Sequence, residues 1–188
     1  VWWDDMNGEK HLTIANNAEH SLATGLPEML ESLTNFANSL FSGKTEKDRP
    51  RFDSVLDLDN GTITVTIPDG QPVGKVVMRH ANTLSTKRRD FRWVKANINC
   101  TLPCFKVKGD CVQPIVWTGD TLKESSPGVY VASAPKPLTG WTGFYVEVYF
   151  PSDTGLRTEY QFTSPGMVWP QTLPFAACSG AACQGSAV

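Results

Sequence analysis

The spacing of apolar residues changes twice along the chain. In "KHLTIA", residues 10–15, Leu12 and Ile14 alternate with His11, Thr13 and Ala15, the two-residue period of a short strand. From Leu26 onward, Met29, Leu30, Leu33, Phe36, Ala37, Leu40 and Phe41 follow at steps of three and four, one stripe on a helix of about four turns. Thr24 is a candidate N-cap, Pro27 and Glu28 suit a first turn, and Gly43 suits the C-terminal end. Between the two, "NNAEHSL", residues 16–22, is a polar loop. Strand, loop and helix make half of a βα unit, so the pattern predicts more sheet upstream.

The stretch "SGKTEKDRPR", residues 42–51, is polar and charged and reads as a linker. Beyond it the period becomes two. "DNGTITVTIPDG" alternates Ile63, Val65 and Ile67 with threonines, and Asn60-Gly61 marks a tight turn. Strand-like runs follow at 75–80, 91–96, 114–118, 128–133, 143–150, 159–163 and 167–169, separated by turn residues and without a helical stripe. About seven or eight short strands in this span predict an antiparallel sandwich. The expected class is therefore α/β followed by all-β. Residues 1–48 would be one domain piece, 49–175 a β-sandwich, and 176–188 a small-residue, cysteine-containing tail.

Composition narrows the function classes. The chain has 188 residues, a net charge of −2 and 40% hydrophobic residues, enough for a packed core. No apolar run approaches the roughly 18–20 residues of a spanning helix. Lys87-Arg88-Arg89 is the longest basic run, too little for a nucleic-acid face. The opening "VWWDDMNGEKHL" has no initiating Met and no signal-peptide pattern, so a fragment of a longer chain is expected.

Cys100, Cys104 and Cys111 form one group of cysteines, Cys178 and Cys183 another. No histidines accompany them at metal-ligand spacing, so disulfides are expected rather than a metal. Two sequons, Asn60-Gly61-Thr62 and Asn99-Cys100-Thr101, mark Asn60 and Asn99 as glycosylation candidates and favour an oxidising, secreted setting. The connectivity stays open. Cys178 with Cys183 is the simplest local pair, because Ser-Gly-Ala-Ala between them is small enough to turn. The tryptophans Trp93, Trp117, Trp141 and Trp169 alternate with apolar residues and read as core or interface.

Three stretches then carry a resemblance. "WWDDMNGEKHLTIANNAEHSL", followed by a helix, "RRDFRW" and "WTGFYVEVYF…QFTSPGMVWPQTLPF", resembles the PhoPQ-activated pathogenicity-related family, which includes secreted autocrine proliferation repressors. The resemblance implies the C-terminal strand–helix end of an α/β-hydrolase-like domain followed by an Ig-like sandwich. It also implies that His20 is the triad histidine, which in such hydrolases arrives last, after the final strand. The nucleophile elbow and the acid of that triad are not in this sequence. Partners implied are the remainder of the chain's own hydrolase domain, extracellular proteins or further copies; no cofactor is implied. A catalytically silent signalling protein and a structural component of an extracellular assembly stand as alternatives.

Overall fold

The computed structural model describes residues 5–18, 21–96, 105–107, 110–134, 136–152, 159–174 and 176–180. One helix, α1 (Leu26–Phe41), precedes twelve strands. In chain order these are β1 (Asp53–Asp57), β2 (Thr62–Thr66), β3 (Lys75–Asn82), β4 (Val94–Ala96), β5 (Phe105–Val107) and β6 (Asp110–Gln113). Then come β7 (Thr118–Thr121), β8 (Glu124–Ser126), β9 (Val129–Ser133), β10 (Thr142–Pro151), β11 (Glu159–Thr163) and β12 (Met167–Trp169). One sheet runs β1-β2-β9-β8 and a second β11-β10-β3-β7, with β12 also on β10; β4-β6-β5 is a small third sheet. Ile63 and Val65 of β2 and Ala132 of β9 meet Val76 and Met78 of β3 and Phe144, Val146 and Val148 of β10 in a common core. The alternation read in "TITVTI" placed Ile63, Val65 and Ile67 in this core correctly.

The expected class is overturned. Every strand pairing among the described residues is antiparallel, and the fold is sheet-rich with one helix rather than an α/β-hydrolase end joined to an Ig-like sandwich. Residues 10–15 belong to no sheet. They lie against the edge strand β11 instead. The Thr163 N–H donates to the Leu12 carbonyl at 2.7 Å, and the Thr13 hydroxyl donates to the Gln161 carbonyl at 2.9 Å. Helix α1 serves the same strand: the Ser32 hydroxyl reaches the Gln161 carbonyl at 2.9 Å, and the Asn35 amide the Glu159 carbonyl at 2.6 Å.

The physical reason is the exposed edge. An edge strand presents backbone groups that cost free energy if buried unpaired, and short polar side chains are the donors that satisfy them. The face of α1 turned inward is thus polar, with Ser32, Asn35 and Ser39 buried. Much of the predicted apolar stripe faces solvent: Leu33 is 61% exposed and Phe41 88%. The helix bounds match the sequence pattern, but its orientation is the reverse of the usual one. It ends as Gly43 suggested, with φ +73°, the Gly43 N–H on Leu40 and the Lys44 N–H on Ser39, a glycine cap of the Schellman type. Its N-cap is Gly25 rather than Thr24.

Residues 42–51 are tied down by Arg49. Its guanidinium donates to both Glu9 carboxylate oxygens and, at 2.8 Å, to the Lys44 carbonyl, and lies 5.2 Å from the Phe36 ring centre. Glu9 also bonds His11 at 2.8 Å, and the His11 ring stacks on Phe162 with centroids 4.1 Å apart. His11 is thus a packing residue.

Candidate binding cleft beside the NAEHS loop

Strand β10 is buried on both faces; Gly143, Tyr145, Glu147 and Tyr149 share one of them, and Tyr145 lines the site. Glu147 is fully buried and fully used. Its Oε2 accepts from Arg79 Nε at 2.7 Å and the Tyr149 hydroxyl at 2.9 Å; its Oε1 accepts from Asn16 at 3.2 Å and Gln161 at 3.4 Å. A buried carboxylate persists only when a cation and hydrogen bonds replace its water. Burial works against the Arg79 charge, yet the bond to Glu147 raises its pKa on balance. Burial, and then Glu147, pushes the Tyr149 hydroxyl up, and Tyr145 is pushed up in the same way. The Tyr145 hydroxyl is buried without a hydrogen-bond partner; Asn16 influences it without reaching bonding geometry. Glu28, at the start of α1, is raised by burial and then by the Glu147 charge, and its Oε2 is likewise buried and unpartnered.

Asparagines 16 and 17 fix the loop that the sequence singled out. Asn16 holds Glu147. Asn17, in the left-handed region with φ +55°, uses both ends of its amide on the Trp117 backbone: Nδ2 donates to the carbonyl at 2.9 Å, and the Trp117 N–H donates to Oδ1 at 2.8 Å. Residues 114–118 were expected to be a strand. Only Thr118 begins one, because Pro114 has no N–H to give and Asn17 occupies the backbone groups of Trp117 that a neighbouring strand would take.

Trp117 and Phe91 pack over Gly143. A Cβ there would meet both rings at 3.0 Å, so glycine is what lets them lie on the strand. The rings of Phe91 and Trp117 are 5.9 Å apart and those of Trp117 and Tyr145 5.5 Å apart. The run from Phe91 to Ala96 was expected to be strand throughout. Only residues from Val94 form strand. Asp90 instead accepts from the Arg92 backbone N–H at 3.1 Å and from its guanidinium at 2.9 and 2.7 Å. This local clasp turns Phe91 and Trp93 toward the loop.

The result is a cleft of about 800 Å3 walled by Phe91, Trp93, Trp117 and Tyr145 on one side and Asn17, Ala18 and Thr24 on the other. Asn17 and Ala18, Phe91 and Trp93, and Tyr145 come from the stretches that carried the family resemblance; Thr24 and Trp117 do not. His20, two residues past Ala18, lies outside the described residues, as do Asn99, Cys100, Cys104 and Cys183; Cys111 is in β6. Cys178 is disulfide-bonded, and no described cysteine is free. Asn60 sits in the exposed β1–β2 turn, where its amide bonds Asp57 at 2.7 Å. His80 pairs with Asp120 at 2.9 Å, away from the cleft. No group of three metal-ligating side chains occurs among the described residues, and no helix there is long and apolar enough to cross a membrane. Tyr145 in the cleft, and Gly143 and Glu147 that support its rings and loop, were not anticipated: they sit in an apolar strand whose second buried face gives no periodic signal.

The family model of the PhoPQ-activated pathogenicity-related proteins matches residues 1–92, which include the NAEHS loop and all of RDFRW but Trp93. Residues 1–92 belong to the PhoPQ-activated pathogenicity-related family. Autocrine proliferation repressor protein A of Dictyostelium discoideum is 35% identical over 188 aligned positions, covering 95% of this chain. That alignment covers 36% of the relative, so the chain spans little more than a third of its length. No solved structure matches the chain. The loop and the helix behind it thus lie within the family-matched part, and the identity to the Dictyostelium protein runs on through the sheets that complete the cleft.

Proposed function

We propose that this chain is the ligand-recognition part of a secreted, autocrine-repressor-like protein, and that the cleft receives an uncharged aromatic or acyl group. The observation that carries this is the cleft's construction. Four aromatic side chains wall it and two asparagines anchor its loop. Secretion is supported by the Cys178 disulfide and by a sequon in an exposed turn.

A second reading is hydrolytic. Ala18 and Thr24 flank His20 in the chain and both line the cleft, so His20 would act as general base on a bound acyl group, with a nucleophile supplied from outside the described residues. Phenyl butyrate, an uncharged aryl ester, tests both. Saturation-transfer NMR on the chain should show saturable contact that Trp93→Ala weakens. Phenol release by the native protein, lost in His20→Ala, would establish the second reading; binding without release leaves the first. Absence of saturable contact at millimolar ester rejects the cleft as the ligand site.

A further inference from the structure

Helix α1 spends its polar side inward and shows its apolar side to water. Leu26, Leu30, Leu33, Leu40 and Phe41 are all exposed, the last at 88%. Beside them, Met6, Met29, Leu33 and Phe36 line a second, mostly apolar cavity of about 520 Å3, closed at its base by His11 and Phe162. Exposed leucines scattered singly need no explanation, but five on one helix continuous with an apolar cavity form a patch of the kind that is covered in finished proteins. The opposite face cannot be turned outward to hide them. Ser32 and Asn35 hold the carbonyls of β11, and Arg49 holds the end of the helix through Glu9 and Lys44.

We propose that this face is the seat of a further folded segment of the same polypeptide, one that presents an apolar surface to Leu30, Leu33, Leu40 and Phe41. Two observations favour that occupant over a second copy or an unrelated protein. Identity to the Dictyostelium relative runs through 95% of this chain while 64% of the relative lies outside the alignment, ample for another layer. The helix itself lies in the part that the family model matches. A segment covalently present is also at high effective concentration, so a modest apolar patch suffices to hold it. The inference is independent of the cleft and of any ligand there.

Hydroxyl-radical footprinting compares the protein purified from its source with the 188-residue chain expressed alone, alongside intact mass and lysine cross-linking from Lys47. The proposal expects an intact mass well above 20.6 kDa. It expects Leu33 and Phe41 to be oxidised several-fold more slowly in the source protein than in the chain, and cross-links from Lys47 to peptides of the same polypeptide outside these 188 residues. Protection that disappears on dilution, with cross-links only between copies of this sequence, overturns it in favour of a dimer. Equal oxidation in the two samples overturns it outright. In the chain alone, a Leu33→Glu, Phe41→Glu variant should melt within about a degree of the parent, since neither side chain is buried there. A large loss of stability would show instead that the face is already packed, contrary to the proposal.

Discussion

Single side chains hold the cleft together, and their removal should have distinct effects. Asn17 makes two hydrogen bonds to one backbone residue from a left-handed conformation that asparagine tolerates better than most. Asn17→Ala should cost about 1–2 kcal/mol, seen as a lower melting temperature. Arg79→Ala should cost more, about 3–5 kcal/mol, because it strands a fully buried Glu147. Glu9 and Glu28 should respond to pH in opposite directions. The bond to Arg49 holds the Glu9 carboxyl down at about 2, against an ordinary 4.5. Its contribution to stability is therefore present above about pH 4.5 and lost as pH falls toward 2. Burial raises Glu28, so its contribution is present at low pH and is lost as pH rises through the raised value. Glu28→Gln should accordingly raise the melting temperature at neutral pH and change it little at about pH 4. Thermal melts of the parent, Glu9→Gln and Glu28→Gln across pH check both signs.

At the scale of elements, α1 shows what a sequence pattern carries and what it omits. The three- and four-residue steps gave its bounds, and Gly43 gave its end, because both depend on residues near in sequence. Which face turns inward depends on the neighbour, and the neighbour is the open edge of β11, more than a hundred residues away. Asn35→Leu should therefore destabilise the protein by about 1–3 kcal/mol despite added hydrophobicity, because the Glu159 carbonyl loses its donor. Leu33→Lys should be nearly neutral in the chain alone. Urea titrations of the two variants settle the helix's orientation; the opposite ranking would mean that the apolar face is the buried one. The strands divide in the same way. β2, β9 and β11 are one-sided or short and were legible, whereas residues 10–15 alternate like a strand but are held as a lone segment on β11. Alternation reports two unlike faces; it does not report a ladder.

For the whole molecule, the family-matched first half supplies the loop wall and Phe91 of a cleft to which β10, from the second half, contributes Tyr145. NAEHS and RDFRW were both legible as special stretches, yet nothing in their spacing showed that they face each other across Tyr145 and Gly143, because β3 and β10 bring them together only through long-range pairing. The central claim is that this cleft recognises a ligand. The six tryptophans make it directly measurable, since each indole N–H gives one cross-peak in a nitrogen–proton NMR spectrum. On titration with phenyl butyrate, the Trp93 and Trp117 peaks should shift together and saturate, while Trp141, whose indole N–H is bonded to the Thr172 carbonyl at 2.9 Å, stays in place. Unmoved Trp93 and Trp117 peaks, or shifts confined to Trp141 and Trp169, would contradict the account.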